Sequence, residues 1–219
     1  VMAVRAGSLG RLKRIALWNL HLQAAIAGLV LFLQPGKLPL WVQVGLALAI
    51  VIPLGPLISR LAYQPLAAAS VLVLLIVSVA VHLTLVGLGL LFFGAEGSRT
   101  TPFSEAQFNL GMLTVNGQTL WVLGASGVLI VALYLFFGRS LYGKALRATA
   151  INRVGARLMG ISTTMAGKLS FTLAAGIGAL SGILIAPITT VYYDTGFLIG
   201  LKGFVAAIIA GLVSYPLAA

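Results

Sequence analysis

Residues 139–168 read RSLYGKALRATAINRVGARLMGISTTMAGK and lie between two long apolar segments. The stretch contains no Asp or Glu, and its six cations are Arg139, Lys144, Arg147, Arg153, Arg157 and Lys168. Because basic residues beside apolar spans resist translocation, the pattern predicts a cytoplasmic loop of a membrane protein. The loop is long enough to fold into short helices, so we expect it to take part in the function of the protein and not only to connect two spans.

Composition places the chain among integral membrane proteins. Hydrophobic residues make up 60% of it, charged residues only 8%, and the mean hydropathy is +1.11. These values lie far outside the range of soluble domains. The net charge of +11 would suggest nucleic-acid binding in a soluble chain, but here the cations sit in gaps between apolar runs, where they are topology signals.

Few side chains are available for chemistry. The chain has no cysteine, two histidines and three carboxylates, so disulfides and thiolate metal sites are excluded. A membrane enzyme would need a carboxylate, His or metal cluster at one depth, whereas these residues are scattered along the chain. We therefore predict no catalytic residue, no metal site and no cofactor bound by the chain itself.

The apolar runs are each about 20 residues long, the length that crosses a bilayer as a helix. They are continuous, unlike the alternating strands of a membrane barrel. The sequence predicts an all-α polytopic bundle forming a single domain over residues 1–219. Its six expected spans are residues 15–34, 40–59, 71–93, 119–138, 169–190 and 197–219.

The distribution of charge predicts the orientation of the spans. Cations precede the first span and follow the second and fourth, whereas Glu96, Glu105 and Asp194 all fall in the opposite gaps. We expect the amino terminus and the 139–168 loop to be cytoplasmic. The first apolar run is long and has no small-residue cleavage site, so it predicts a retained span; the ends of the chain suggest a piece of a longer protein.

Within the basic loop, the sequence predicts a short helix. Asn152 suits an N-cap, residues 153–159 supply about two turns, and Gly160 suits the left-handed position that ends a helix. Ser162 or Thr163 would then cap the next span. Arg153 and Arg157 form a cationic stripe beside an apolar one, which fits either a groove on a soluble partner or anionic lipid headgroups.

The stretch GKALRATAINRVGARLMGI, residues 143–161, resembles the cytoplasmic loop of branched-chain amino acid ABC transporter permeases. Two further stretches are similar to the family: RLAYQPL at residues 60–66, and GLKGFVAA at residues 200–207 before a glycine-rich span. The resemblance covers residues 40–219. The RATAIN run at residues 147–152 resembles the first of the family's two paired permease types.

The resemblance implies a bacterial inner-membrane subunit that carries an amino acid. Its implied partners are a homologous second permease, ABC ATPase subunits that bind the ATP, a periplasmic solute-binding protein and the lipid bilayer, with no nucleic acid. The short helix would be the coupling helix. The residues that would couple to the ATPase are Arg147, Asn152, Arg153, Ala156, Arg157 and Gly160.

The match to the family has two departures. ABC permeases at large show a Glu-Ala-Ala-x-x-x-Gly pattern in the coupling helix, and this chain keeps Ala156 and Gly160 but lacks the Glu. The family's opening Asn-Phe-Ala-His-Gly-like run is not found in residues 1–40. We therefore expect a truncated or divergent member.

A partial phosphate-loop match in the same region is rejected. Residues 138–144 read GRSLYGK, but the required Ser or Thr after the Lys is Ala145. The run also follows an expected membrane span and not a buried strand. ATP hydrolysis is therefore expected from a partner.

Polar residues at membrane depth are the candidates for a solute path, because burying them in lipid is costly. His82 alternatively bonds a neighbouring helix or Ser78, and interfacial tyrosines alternatively form an aromatic belt. Asp194 and Lys202 would pair across a short re-entrant turn and bind a zwitterion. The expected path residues are His82, Thr189, Tyr192, Asp194 and Lys202.

The small residues of the fifth span, among them Ala175, Gly178 and Gly182, predict close packing with a helix of the same chain or of a partner subunit. The function predicted overall is a permease subunit of an ATP-driven importer for branched-chain or related amino acids. Urea, amides and simple sugars are alternative cargoes. A stand-alone channel or secondary carrier is a further alternative, which would need intramembrane charges that are nearly missing from the spans.

Overall fold

The computed structural model describes residues 28, 38–67, 69–110 and 113–211. The first predicted span, residues 15–34, lies outside the described residues except for Gly28. The end of the sixth, residues 212–219, also lies outside them.

Helices dominate the described part of the chain. Those long and apolar enough to cross a membrane are Leu40–Leu66, Leu72–Phe93, Gly117–Arg139 and Thr163–Ile185, and a shorter apolar helix follows them. The α-helices are α1 (Leu40–Ile58), α2 (Val71–Phe93), α3 (Gly117–Arg139), α4 (Leu141–Ile151), α5 (Arg153–Leu158), α6 (Thr163–Ile185) and α7 (Thr195–Ile209). The predicted all-α polytopic class is confirmed, and the chain is a multi-pass integral membrane protein.

Two segments depart from regular α-helix. The chain leaves α1 through a π-helical turn, Ser59–Tyr63, and a 3-10 turn, Gln64–Leu66. Between α2 and α3, strands β1 (Gln107–Leu110) and β2 (Leu113–Asn116) pair antiparallel as a small hairpin. This hairpin is not predictable from the sequence, because four-residue strands leave little periodic signal.

The fifth span is shifted toward the amino terminus relative to its predicted range of 169–190. Helix α6 begins at Thr163, because the Ser162 hydroxyl accepts a hydrogen bond from the Met165 N–H at 3.3 Å. It ends at Ile185, shortly before Pro187, which has no N–H to continue a helix. Lys168 therefore lies inside α6, and the basic loop itself closes at Ser162.

The chain divides into two compact units, Val1–Ser78 with Gly167–Leu180, and Val79–Ala166 with Ser181–Ala219. In the first unit, α1 packs closely on α6: a Cβ on Gly55 would collide with the Phe171 carbonyl oxygen and lie 2.9 Å from Ala175 Cβ. The Tyr63 ring lies 4.7 Å from that of Phe171. Part of the small-residue face of α6 therefore packs within the chain, as small residues allow in lipid.

In the second unit, Gln118 at the start of α3 is only 5% exposed. Its side-chain oxygen accepts a hydrogen bond from the Phe103 N–H at 2.9 Å, and its amide nitrogen donates to the Leu184 carbonyl at 3.0 Å. A buried amide bonded at both ends ties the loop before the hairpin to the last turn of α6.

Candidate functional site

The basic loop turns sharply as α3 ends and α4 begins. The Ser140 hydroxyl donates to the Phe136 carbonyl at 2.7 Å and accepts from the Gly143 N–H at 2.9 Å, so one side chain ends α3 and caps α4. Gly143 is buried against this corner, and a Cβ there would collide with the Phe136 carbonyl oxygen. The GRSLYGK run is therefore a helix–helix corner, which differs from the strand-to-helix loop of a phosphate site.

Helix α5 is built as the sequence predicts. Asn152 adopts an extended conformation, and its side-chain oxygen accepts a hydrogen bond from the Gly155 N–H at 2.9 Å. At the other end, Gly160 has φ of +79°. The Gly160 N–H donates to the Arg157 carbonyl at 3.0 Å, and the Ile161 N–H donates to the Ala156 carbonyl at 2.9 Å. This bond pair is the Schellman motif that closes a helix on a left-handed glycine.

The side chains of α5 divide into one buried contact and an exposed surface. Ala156 is 5% exposed and anchors the helix, whereas Leu158 and Met159 are 83% and 82% exposed. Arg153 and Arg157 are also exposed, and Arg157 Nε donates to the Thr163 hydroxyl at 3.1 Å. We call the exposed side chains of Arg153, Val154, Arg157, Leu158 and Met159 the α5 surface.

The α5 surface combines apolar and cationic side chains and has no group that makes or breaks bonds. Arg147, on α4, is exposed as well, whereas Asn152 and Gly160 act through the helix ends. Among the described residues, no group of three His, Cys, Asp or Glu is placed to hold a metal ion. The arrangement suits docking of a partner macromolecule.

His82 lies in the second half of α2, and its ring stacks on Phe197 of α7 with centroids 4.6 Å apart. No hydrogen bond between His82 and Ser78 is seen in the described part of the chain; the Ser78 hydroxyl donates to the Leu74 carbonyl and accepts from the Tyr63 hydroxyl. Two turns further along α2, Gly89 lies against Tyr193, with its Cβ position 3.3 Å from that of Tyr193. Helix α2 therefore carries His82 and also contacts the turn after α6 through Gly89.

The turn after α6 carries Thr189, Tyr192 and Asp194. It pairs with the loop after α2 through two hydrogen bonds of 2.9 Å between Ser98 and Val191. The side chains of Thr190 and Tyr192 pack where a Cβ on Gly97 would stand. These contacts agree with the prediction that both loops lie on one side of the membrane.

The predicted pair of Asp194 and Lys202 is wrong. Residues 195–209 form α7, so the expected re-entrant turn is helical, and Asp194 precedes its first residue. Lys202 comes eight positions after Asp194, which corresponds to about 12 Å along the helix axis. Both lie in the described part of the chain, where no ion pair joins them.

Sequence reasoning missed two side chains on this side of the protein. Arg99, in the loop after α2, donates from Nε to the Pro187 carbonyl at 3.0 Å and from Nη2 to the Ile188 carbonyl at 3.2 Å. Gln118 was placed just outside a span. A polar residue at the first turn of an apolar helix was the available signal, because the partners of Arg99 and the Leu184 partner of Gln118 lie more than 60 positions away in sequence.

The family described as branched-chain amino acid transport system, permease component, matches residues 13–219. The chain is 26% identical over 188 residues to the high-affinity branched-chain amino acid transport system permease protein BraD of Pseudomonas aeruginosa, covering 82% of this chain and 61% of that protein. It is 29% identical over 178 residues to LivH of Escherichia coli K12, a permease protein of the same description, covering 78% and 57%.

A third relative is the probable branched-chain amino acid transport permease protein LivH of Methanocaldococcus jannaschii, 29% identical over 162 residues, covering 71% of this chain and 51% of that protein. The aligned part thus spans between about half and three fifths of these relatives. No solved structure matches the chain. Because the family match runs over residues 13–219, the chain belongs to the family of branched-chain amino acid transport system permease components.

Proposed function

We propose that this chain is the membrane-spanning subunit of an ATP-driven importer for branched-chain or related amino acids. The family match supports the class, and the names of the relatives support the cargo. The observation that carries the proposal is α5, a six-residue helix capped at both ends between two helices long enough to span the membrane. The chain would be a transport subunit and not an enzyme.

The proposed role of α5 is mechanical. Its two ends are held by the Asn152 cap and the Schellman motif at Gly160, and the Arg157 bond to Thr163 joins it to the first turn of α6. A helix held in this way moves with α6 when it is pushed. Closure of a partner ATPase on α5 would therefore tilt the spans and alternate access to the solute path.

The α5 surface suggests what the ATPase must offer. Burying the exposed side chains of Val154, Leu158 and Met159 against the ATPase would contribute about 1.5–3 kcal/mol of binding free energy each. Arg153 and Arg157 would face carboxylates at the rim of that groove. Since this chain lacks the Glu that ABC permeases at large show in the coupling helix, we propose that apolar contact and the two arginines take over the docking, with Arg147 supporting it from α4.

The remaining partners follow from the same proposal. ATP would be bound by the ATPase subunits, the solute would arrive on a periplasmic binding protein, and a homologous permease would complete the path in the bacterial inner membrane. His82, Thr189 and Tyr192 remain proposed path residues on this chain. Asp194 and Lys202 remain proposed path residues as separate charges.

The test is reconstitution of the complete complex in proteoliposomes, with uptake of radiolabelled L-leucine measured with and without ATP. We expect ATP-dependent uptake, and we expect Leu158→Asp and Arg153→Glu each to lower both uptake and capture of the ATPase at least tenfold. Lys144→Glu is the matched control, because Lys144 is an exposed cation of the same loop outside α5. It should stay within about twofold of wild type.

Three outcomes would contradict the proposal. Leucine flux without nucleotide would indicate a channel or secondary carrier. ATP-dependent uptake of radiolabelled urea, amides or simple sugars but not of leucine would replace the cargo. Crosslinks from Arg157→Cys, in a chain that has no other cysteine, that captured only phospholipid would assign the α5 surface to the membrane.

A further inference from the structure

A cavity of about 340 Å³ lies in the second unit, among the loop after α2, the hairpin, the first turn of α3 and the residues that follow α6. Its volume is at the lower end of the range for small-molecule sites, roughly 300–1,000 Å³. None of the proposed solute-path residues lines it. We infer that this cavity is a receiving site for a free zwitterionic α-amino acid, an inference that rests on the proposed function for the class of cargo.

The first support is a pair of opposite charges. Arg99 and Glu105 both line the cavity, although the whole chain has only three carboxylates. Arg99 Nε and Nη2 are held by the carbonyls of Pro187 and Ile188, so the guanidinium is positioned and its Nη1 is left for a ligand. An α-carboxylate would accept from that nitrogen, and an α-ammonium would donate to the Glu105 carboxylate.

The second support is that Arg99 and Glu105 do not neutralise each other. Both lie in the described part of the chain, where Arg99 bonds backbone carbonyls and Glu105 is exposed with no ion pair. Two opposite charges that line one cavity without pairing leave room for a ligand that carries both signs. A simple anion or cation would satisfy only one of them.

The third support is the rest of the wall. Pro102, Pro187 and Ile188 supply an apolar side next to the charged groups, which fits a branched aliphatic side chain. The floor is held by Gln118, whose amide is bonded to the Phe103 N–H and the Leu184 carbonyl. A cavity whose supporting side chains are already bonded loses little entropy when it binds a ligand.

Binding can be measured on the full chain in lipid nanodiscs with three probes: L-leucine, L-leucinamide, which lacks the carboxylate, and 4-methylpentanoate, which lacks the ammonium. We expect leucine to bind at least tenfold more tightly than either analogue. Glu105→Gln should weaken leucine about tenfold, the scale of one charged hydrogen bond, and leave 4-methylpentanoate within twofold. Glu96→Gln, an exposed carboxylate of the same loop outside the cavity, should change neither.

Ala106→Trp is the second variant, because Ala106 is exposed and lines the cavity, so that the large side chain would fill it. It should abolish binding of all three probes. The inference is overturned if leucine binds equally well to wild type, Glu105→Gln and Ala106→Trp, or if the analogues bind as tightly as leucine. It is also overturned if the variants lower uptake only by weakening capture of the solute-binding protein, since the cavity would then anchor a protein.

The two proposals fail separately. If the wild-type complex shows no ATP-dependent leucine uptake, the proposed function is overturned, whatever the cavity binds. Uptake by the Glu105→Gln complex at the wild-type rate under limiting leucine would overturn the receiving site alone.

Discussion

The side-chain oxygen of Asn152 accepts a hydrogen bond from the Gly155 N–H at 2.9 Å, while the Asn152 N–H donates to the Ala148 carbonyl at 3.0 Å. One residue therefore ends α4 and begins α5. A six-residue helix has too few internal hydrogen bonds to form alone, so the cap decides whether α5 exists.

Asn152→Ala removes the cap and should cost about 1 kcal/mol of stability. We expect the free energy of unfolding in an SDS titration to fall by that amount, and ATPase capture to fall severalfold because α5 frays. Asn152→Asp keeps an acceptor oxygen and should lie close to wild type. Equal stability of the Ala and Asp variants would mean that the cap is not what holds α5.

Gly160→Ala places a Cβ at φ of +79°, which costs an ordinary residue about 1–2 kcal/mol. We expect a loss of unfolding free energy of that size. Gly138→Ala is the control with the opposite sign, because Gly138 is helical, has nothing within 4 Å of its Cβ position, and alanine favours helix by about 0.5–1 kcal/mol. A loss of similar size in both variants would contradict this account.

Gly55→Ala should destabilise the chain, because a Cβ at Gly55 would strike the Phe171 backbone and force α1 and α6 apart. Overpacking of this kind costs roughly 1–3 kcal/mol. Gly45→Ala, in the same helix with nothing within 4 Å, is the matched control and should be neutral or stabilising. Thermal unfolding in detergent distinguishes them, and equal melting temperatures would show that α1 does not pack on α6 at Gly55.

Gln118→Leu removes the acceptor of the Phe103 N–H and the donor to the Leu184 carbonyl. Leaving buried backbone groups unsatisfied costs roughly 1–3 kcal/mol. We expect a lower melting temperature and faster proteolysis of the loop before the hairpin. Gln107→Leu, at an exposed position of strand β1, should stay within about 0.5 kcal/mol of wild type.

Orientation can be tested with single cysteines, since the chain contains none. In intact inverted vesicles, an impermeant maleimide should label Arg153→Cys, on α5. It should label Glu96→Cys, in the loop after α2, only after the vesicles are opened. The reverse pattern would invert the topology that the positive charges predict.

Much of the candidate coupling site was predictable because it is local. The Asn152 cap, the Gly160 stop and the Ser162 cap each involve residues within five positions of one another, so sequence spacing carries the information. The opposite side of the protein was less predictable. Arg99, Gln118 and the turn after α6 meet across more than 60 residues of chain, and the pairing proposed for Asp194 and Lys202 failed because α7 is helical between them.

The amino-acid sequence by itself determined that the chain lies in a membrane, where most spans fall, and where the short helix α5 begins and ends. Apolar length, positive charge and helix caps act over a few residues, which is why composition and spacing reveal them. Only the tertiary structure decided that Gly55 meets the Phe171 backbone, and that Arg99, Glu105 and Gln118 line one cavity. Such contacts join residues distant in sequence, and they depend on how whole helices pack, which no local pattern encodes.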